Sequence, residues 1–344
     1  MSYICKHVEA LDGYTPGEQP HFEGMVKLNT NENPYPPTPR VGEALAAFDW
    51  RTLRLYPDPN FMRAREVIAK NNGCSVDNVF VGNGSDEILA LFTRAFVEVN
   101  GTIGFFHPTY SLYSVLAAIR DAQVKTLPLN DDFTCPTPPA DFADLFVWTN
   151  PNAPTSRMVD PEVIATFAKT FQGVVLVDEA YADFAPANCM AYAVSPENTN
   201  MLVMRTLSKS FSLAGVRFGY CVGPKPLIDA LYKIKDSYNM DALAQCIGTA
   251  ALEDLSYMQA NVKKIQATRE RVTHMLETRG WTILPSATNF LFAKPPAPME
   301  AAEMFASLRE KHLYVRYFPG PTTGQWLRIT IGTDEQMDQL LQHL

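Results

Sequence analysis

The pattern that most constrains the fold lies in the middle of the chain, between residues 79 and 223. Short apolar runs there alternate with helical stretches, and the runs read VFV, TIGFF, LFVWT, VVLV, MLVMR and FGYCVG. Runs that are apolar at nearly every position are typical of strands covered on both faces, and intervening helices are typical of parallel crossovers. The middle of the chain is therefore predicted to be an α/β domain built on a mostly parallel sheet.

The two ends of the chain have different patterns. Residues 1–40 are rich in Pro, Gly and Asn and are predicted to form an extended arm. Residues 41–250 form the predicted large α/β domain. Residues 251–344 read as long helices followed by strand and helix in alternation, a pattern that favours a smaller α+β domain. The length of 344 residues agrees with about two domains.

Composition excludes several classes of function. The net charge is -8, and no basic run is dense enough to follow a phosphate backbone, so no nucleic-acid partner is expected. The six cysteines occur singly, which disfavours both a metal site and a disulfide framework. The N-terminus lacks a cationic start followed by an apolar segment, and no run reaches the length of a membrane span. We expect a cytoplasmic protein without a membrane partner.

One lysine stands out among the polar residues at the predicted strand ends. The run MLVMR delivers Lys209 into the segment TLSKSFSLAGVRFG, which is rich in hydroxyl groups and ends near Arg217. An amine that attacks carbonyl compounds must be partly deprotonated, and a desolvated pocket or neighbouring cations can achieve this. A solvated surface lysine is the other interpretation, and for Lys209 taken alone it is the commoner one.

Other strand ends carry groups that could bind a ligand. The turn GNGSDE opens a helix near Ser85, which could cap that helix or help to hold a phosphate. Asp178 directly follows the apolar run VVLV and needs a partner such as a protonated pyridine nitrogen, unless it is an N-cap or an ion-paired residue. Tyr181 lies three residues later. Asn152 could present its amide to a ring oxygen or could simply form a turn.

Two arginines lie in apolar contexts near the C-terminus. Arg328 is inside WLRITIG and Arg316 is inside LYVRYF. A guanidinium among apolar neighbours needs an anion, and its planar fork suits a carboxylate or a phosphate. An internal salt bridge is the alternative for both residues. Tyr14, in the arm, reads on its own as a packing tyrosine on a turn.

Taken together, these motifs resemble the fold type I pyridoxal-phosphate-dependent aminotransferases, in their class II subfamily. The most specific part is TLSKSF followed by AGVRFG, with VDEAY at the expected distance before it. The similarity extends through GYTPGE, LNTNENP, YPD, GNGSDE, PTYSLY, NPNAPTS, TNFLFA and LRITIGT. It implies a seven-stranded, mostly parallel sheet, pyridoxal 5'-phosphate as cofactor, and an amino donor and a 2-oxo acid as substrates.

The resemblance also implies roles for individual residues. Lys209 would bind the cofactor as a Schiff base, Asp178 would keep its ring nitrogen protonated, and Tyr181 would contact its ring oxygen. The family is dimeric with shared active sites, and Tyr56 of the partner subunit would reach the cofactor phosphate. The remaining residues implied in cofactor binding are Gly84, Ser85, Asp86, Tyr110, Asn152, Thr206 and Arg217.

The substrate is expected to meet a separate group of residues. Arg328 would bind a substrate carboxylate, whereas Arg316 with Tyr14 would recognise the phosphate of histidinol phosphate, the expected amino donor, and Asn33 is placed in the same group. Aromatic or other amino acids are alternative donors, and decarboxylation of a phosphorylated amino acid is an alternative reaction.

Two points qualify the resemblance. The family has Asn immediately before Pro-Thr-Gly, but here Ala153 stands in that place and Ser156 replaces the glycine. The ring-oxygen contact therefore falls to Asn152 by proximity alone. A remote alternative from another class is a nucleotide-binding α/β protein, but GNGSDE does not complete G-x-G-x-x-G.

Overall fold

The computed structural model describes residues 2–11, 13, 14, 17–20 and 22–344. The strands are β1 (Val26–Lys27), β2 (Val79–Gly82), β3 (Thr102–His107), β4 (Gln123–Pro128), β5 (Leu145–Thr149), β6 (Val174–Asp178), β7 (Met201–Thr206), β8 (Gly219–Val222), β9 (Thr282–Ile283), β10 (Phe290–Lys294), β11 (Leu313–Tyr314), β12 (Arg316–Tyr317) and β13 (Leu327–Thr330). The α-helices are α1 (Lys6–Glu9), α2 (Pro39–Ala47), α3 (Met62–Asn72), α4 (Gly84–Phe96), α5 (Leu112–Ile119), α6 (Pro161–Thr170), α7 (Met190–Ala193), α8 (Lys225–Ile234), α9 (Ala242–Leu252), α10 (Leu255–Thr278), α11 (Ala301–Glu310) and α12 (Asp334–Leu341). Short 3₁₀ turns lie at Trp50–Arg54, Val76–Asn78 and Ala182–Phe184.

The main sheet has seven strands in the order β2-β8-β7-β6-β5-β3-β4. All neighbours are parallel except β8, which runs antiparallel to both β2 and β7. The predicted α/β class with a mostly parallel seven-stranded sheet is confirmed. Strand β4 is not identified by the sequence pattern, because its segment QVKTLP is largely exposed and carries little apolar signal.

Alternate side chains of the main sheet pack on two helical layers. On one face, Val147 of β5 belongs to a cluster that includes α4, α5 and α8. On the other face, the neighbouring Trp148 belongs to a cluster with α6, α9 and α10. Both residues are almost fully buried, and burial on both faces explains why these strands are apolar at every position.

The register of the main sheet brings polar strand ends together at one edge. Thr149 at the end of β5 pairs with Asp178 at the end of β6. Thr206 at the end of β7 pairs with Gly219, which also pairs with Gly82 at the end of β2. Ligands of open α/β sheets bind at this carboxyl edge.

A smaller antiparallel sheet covers that edge, with the strand order β12-β13-β10-β9. Strand β1, from the N-terminal arm, pairs in parallel with β11. The apolar cluster on one face of the main sheet continues into this smaller sheet, because it includes both Val177 and Leu327. The division at residues 40 and 250 stays a prediction.

Candidate active site

A cavity of about 460 Å³ lies at the carboxyl edge of the main sheet, beneath the smaller sheet and the arm. Cavities of this size suit a small molecule or a cofactor. Most of the site residues predicted from the sequence line it. They are Tyr14, Ser85, Asp86, Tyr110, Asp178, Tyr181, Thr206, Lys209, Arg217, Arg316 and Arg328.

Lys209 projects into this cavity from the turn after β7. Its Nζ atom donates a hydrogen bond to the carbonyl of Thr30 at 3.1 Å and lies 5.8 Å from the ring centre of Tyr181. The turn itself is held by Asn33, whose amide donates to the carbonyls of Lys209 and Ser210 at 3.2 and 3.1 Å. Asn33 therefore supports the lysine turn, and the structure does not bring it to the cavity wall, where a substrate contact was expected.

A buried network of ion pairs and hydrogen bonds holds the turn that carries Lys209. Arg205, inside β7, donates two hydrogen bonds to Glu179 at 3.0 and 2.8 Å and one to Asp183 at 3.1 Å. Ser210 donates to the other oxygen of Asp183. Burial raises the pKa of Glu179, and the charge of Arg205 opposes that rise. Sequence reasoning does not single out this network, although an arginine in an apolar strand is an available signal.

Asp178 is a nearly buried carboxylate, 5% exposed, at the back of the cavity. Its Oδ2 atom accepts a hydrogen bond from the Tyr113 hydroxyl at 2.6 Å, and its Oδ1 atom accepts one from the amide of Ala180 at 3.1 Å. Burial raises the pKa of Asp178 to about 6, and the bond from Tyr113 opposes that rise. No salt bridge to Asp178 occurs in the part of the chain that the structure describes. Such an acid is suited to receive a cationic N–H from a ligand.

The start of α4 forms an anion-binding corner of the cavity. The helix begins at Gly84, whose φ is +79°, a value that favours glycine. The first amides of a helix attract anions. Arg217 lies over this turn and contacts Asp86 at 3.0 Å, and Thr206 faces the same cavity. This arrangement suits an anion such as a phosphate.

Two tyrosines supply aromatic and hydroxyl groups to the cavity. The hydroxyl oxygen of Tyr181 accepts a hydrogen bond from Asn31 at 2.8 Å, which leaves the tyrosine's own proton free to point into the cavity. Asn31 is in turn held by Thr330. Tyr110 packs edge to face on Tyr14, with ring centres 5.7 Å apart, and burial raises the pKa of its hydroxyl.

Arg316 and Arg328 stand directly opposite each other on β12 and β13. Both guanidinium groups lie over the ring of Phe318, at 5.4 and 5.2 Å from its centre. Arg328 donates to the carbonyl of Asn29 at 2.8 Å, but its buried Nε atom has no partner among the described residues. Burial lowers the pKa of Arg328. Neither arginine forms a salt bridge with a described residue, and paired like charges without counter-ions indicate an anionic ligand.

Besides Asn33, the predicted site residues Gly84, Asn152 and Tyr56 are not among the residues that line the cavity. The side chain of Asn152 is fully engaged with its own surroundings. Its amide nitrogen donates to the carbonyl of Pro108 and to Thr155, while its oxygen accepts from Thr109. The structure therefore does not bring the Asn152 side chain to the cavity wall, where a contact with a ring oxygen was expected, and Ala153 lines the cavity instead.

Tyr56 is 80% exposed and stacks on Tyr238, with ring centres 4.3 Å apart. It does not face the cavity of its own chain, which agrees with a role in another subunit's site but does not test that role. Among the described residues, no group of three His, Cys, Asp or Glu side chains could hold a metal ion. No described helix is both long and apolar enough to cross a membrane.

Comparison with known proteins gives the class of protein. Residues 23–344 match the family "Aminotransferase class I and II". The chain belongs to this family, whose cofactor is pyridoxal 5'-phosphate. The nucleotide-binding alternative from another class is thereby excluded.

Individual relatives are similar over nearly the full length. The histidinol-phosphate aminotransferase of Marinomonas sp. (strain MWYL1) is 43% identical and is aligned over 97% of this chain and 96% of its own. Histidinol-phosphate aminotransferase 2 of Thiobacillus denitrificans is also 43% identical, over 99% and 97% of the two chains. The structure of histidinol-phosphate aminotransferase from Sinorhizobium meliloti in complex with pyridoxal-5'-phosphate shares the fold, with a TM-score of 0.85, 23% identity, and coverage of 99% and 96%.

The residues of this chain fit that cofactor. Asp178 provides a buried acid without a counter-ion among the described residues, and the α4 start with Arg217 provides an anion-binding corner. Gly219 allows the start of α4 to approach β8, because a Cβ atom there would lie 2.7 Å from backbone atoms of Gly84 and Ser85. Lys209 supplies an amine in the same cavity.

Proposed function

We propose that this protein transfers the amino group of histidinol phosphate to 2-oxoglutarate, forming imidazole-acetol phosphate and glutamate in histidine biosynthesis. The observation that carries the proposal is the pair Arg316 and Arg328, two cavity arginines without a salt-bridging acid among the described residues. The names of the curated relatives support it. As part of the same proposal, we place the reaction in the cytoplasm.

Each end of the cofactor has matching groups in the cavity. Ser85, Asp86, Thr206, Arg217 and the α4 amides would hold the phosphate. Asp178 would accept the ring N–H and keep it protonated. Tyr181, with its proton free, would donate to the ring oxygen, and Tyr110 would cover the ring face. When bound, pyridoxal phosphate supplies an electron sink for the electron pair left on the substrate carbon after proton removal.

Lys209 is the residue that would move protons. Its Nζ atom would first bind the cofactor and then, once displaced by the substrate amine, act as general base and acid between the substrate carbon and the cofactor carbon. The contact with the Thr30 carbonyl gives Nζ a resting position within the cavity. The ion network beneath Ser210 would keep the turn in place while the amine is released.

Substrate recognition follows from the arrangement of the cationic groups. Arg316 with Tyr14 would bind the phosphate of histidinol phosphate, and Arg328 would bind the carboxylate of glutamate or 2-oxoglutarate. The aromatic walls also suit an aromatic amino acid, so an aromatic aminotransferase is the second candidate.

The exposed surface supports a homodimer with shared active sites. The segment 50–56, called the exposed segment below, presents Trp50, Leu53, Leu55 and Tyr56, all more than half exposed. Contiguous apolar groups on a surface mark interaction sites. We propose that Tyr56 of the partner subunit completes the phosphate site.

The substrate proposal is tested by the variant Arg316→Ala. We expect KM for histidinol phosphate to rise about 30-fold or more, because a charged pair to the phosphate is lost, while KM for phenylalanine changes less than about 3-fold. The measurement compares kcat/KM for histidinol phosphate, phenylalanine and threonine phosphate. Arg94→Ala, at the exposed end of α4, is the matched control. Equal effects of Arg316→Ala on all three donors would remove Arg316 from phosphate recognition.

A further inference from the structure

A chain of hydroxyl groups lies behind the Asp178 carboxylate. Tyr113, on α5 and 2% exposed, places its hydroxyl 2.6 Å from Oδ2 of Asp178 and 2.8 Å from Oγ1 of Thr149. Oγ1 of Thr149 lies 3.0 Å from Oγ1 of Thr109, which donates to the side-chain oxygen of Asn152 at 2.9 Å. The chain thus joins the predicted cofactor acid to the turn that precedes Ala153.

The orientation of Asn152 fixes one end of this chain. Its amide nitrogen faces the carbonyl of Pro108 at 3.1 Å, and a carbonyl can only accept. The amide oxygen must therefore face Thr109 and receive its proton. This assigns the direction of the last bond in the chain.

The number of protons in the chain depends on the charge of Asp178. Four contacts connect Asp178 to Asn152, but the hydroxyls of Tyr113, Thr149 and Thr109 supply three protons. When Asp178 is ionised, Tyr113 donates to it, and Thr149 has one proton for two neighbouring oxygens. When Asp178 is protonated, every contact can hold one proton, all pointing toward Asn152.

The geometry points to Tyr113 as a positioning residue for the cofactor, whose hydroxyl holds the Asp178 carboxylate ionised and oriented to receive the ring N–H. Tyr113 acts through Asp178 and does not line the cavity itself. The inference rests on the family's cofactor and not on the substrate that the protein uses.

The surroundings of both residues support this role. The Tyr113 ring is held between Phe105 and Tyr110, with ring centres 5.7 and 5.6 Å away, so its hydroxyl has a fixed direction. The charges of Asp86 and Glu179 disfavour an ionised Asp178. The bonds from Tyr113 and from the Ala180 amide oppose them. The other ionisable groups that line this cavity are Tyr14, Tyr110, Tyr181, Lys209, Arg217, Arg316 and Arg328.

The test is the affinity of the cofactor-free protein for pyridoxal phosphate, measured by absorbance titration from mildly acidic to mildly alkaline pH. Binding to an ionised Asp178 weakens in acid, because protons compete for the carboxylate. For Tyr113→Phe we expect Kd to rise about 10-fold on the acid side of the Asp178 pKa, the loss typical of a hydrogen bond to a charged group, and to approach the wild-type value at mildly alkaline pH. The acid limb of the profile, meaning the pH range in which binding weakens as the solution is acidified, should move to higher pH by about one unit.

Tyr232→Phe is the control, since it removes a partly buried tyrosine hydroxyl that donates to the carbonyl of Val79 on β2 and has no contact with Asp178. It should leave the profile unchanged. If Tyr113→Phe has the wild-type profile, or weakens binding equally at every pH, Tyr113 is only a packing residue and the inference is wrong.

The variant Thr149→Val tests whether the hydroxyl chain controls the protonation of Asp178, even if Tyr113→Phe does not fold. Without the Thr149 oxygen, a protonated Asp178 would leave the Tyr113 proton without an acceptor, so the protonated form becomes less favourable. The acid limb should then move to lower pH, opposite to the shift for Tyr113→Phe. An unchanged limb, or a shift to higher pH, would overturn the hydroxyl-chain argument independently of the substrate assignment.

Discussion

Asp178 is a buried carboxyl group whose ionisation affects the stability of the protein when no cofactor is bound. Burial raises the pKa of Asp178 from 3.8 to about 6 in the folded chain without cofactor. A carboxyl group whose pKa is raised by folding favours the folded state fully below its unfolded pKa. That contribution is lost as the pH rises through the folded pKa. Above about pH 6, the cofactor-free protein therefore carries an unfavourable ionised group.

We predict that Asp178→Asn stabilises the cofactor-free protein at about pH 8 by on the order of 3 kcal/mol, the size of the pKa shift converted to free energy. The difference should shrink as the pH falls from about 6 toward about 4 and vanish below that. Urea unfolding of both proteins at several pH values measures it. The exposed Asp229, paired with Lys225, supplies the control Asp229→Asn, for which no such gain is expected. A variant less stable than wild type at all pH values would contradict this account.

Some site residues can be recognised from the sequence and others cannot. Asp178 and Arg328 are charges in or directly after apolar runs, and each needs a partner wherever it folds. Lys209 follows an apolar run into a turn rich in hydroxyl groups, and it stands out only beside those two residues. Tyr113 and Thr149 are neutral hydroxyl residues, which are common in cores and on surfaces alike. Their importance depends on distances of 2.6 and 2.8 Å that only the folded chain reveals.

At the scale of elements, the fully buried strands are predictable and the exposed one is not. The apolar runs of β5, β6 and β7 match the observed strands because burial on both faces demands such runs. Strand β4 is a largely exposed edge strand, so no burial pattern marks it. The reversed direction of β8 and the register that pairs Thr149 with Asp178 depend on tertiary packing and leave no local signal.

The close approach of α4 to β8 allows a prediction for a variant of Gly219. In Gly219→Ala, the new Cβ would lie 2.7 Å from the carbonyl carbon of Gly84 and the amide of Ser85, backbone atoms that cannot rotate away. The start of α4 must then shift, and we expect the variant to lose about 1–3 kcal/mol of stability together with cofactor affinity. Thermal unfolding and cofactor titration measure the two effects.

A second variant, at Gly42, distinguishes the effect of a Cβ clash from the effect that any glycine-to-alanine change has on stability. Gly42 lies in α2, and a Cβ atom added to it would have no described neighbour within 4 Å beyond the helix's own backbone. Gly42→Ala should therefore gain about 0.5–1 kcal/mol of stability and bind cofactor normally. A stable Gly219→Ala protein with unchanged cofactor affinity would show that the close approach is not required.

At the scale of the whole molecule, the cavity is built from distant parts of the chain, with Tyr14, Asp178 and Arg328 on its wall. The exposed segment lies outside that cavity and presents apolar groups to solvent. A second copy of the chain that covered this segment would bury those groups, and it could bring Tyr56 to the neighbouring site. In the proposed dimer, each site would depend on two protomers.

That dependence predicts complementation between two impaired variants. Lys209→Ala removes the amine, and Tyr56→Ala should weaken cofactor binding in the other protomer's site. When the two variants are mixed in equal amounts and allowed to exchange subunits, half of the dimers are mixed and each holds one intact site. Activity should then reach about a quarter of wild type at a cofactor concentration too low to rescue Tyr56→Ala. If each chain forms its site alone, the mixture has only the mean activity of the two variants. In the control mixture, Trp50→Ala takes the place of Tyr56→Ala. That substitution removes an apolar side chain from the exposed segment but no group that is assigned to the cofactor.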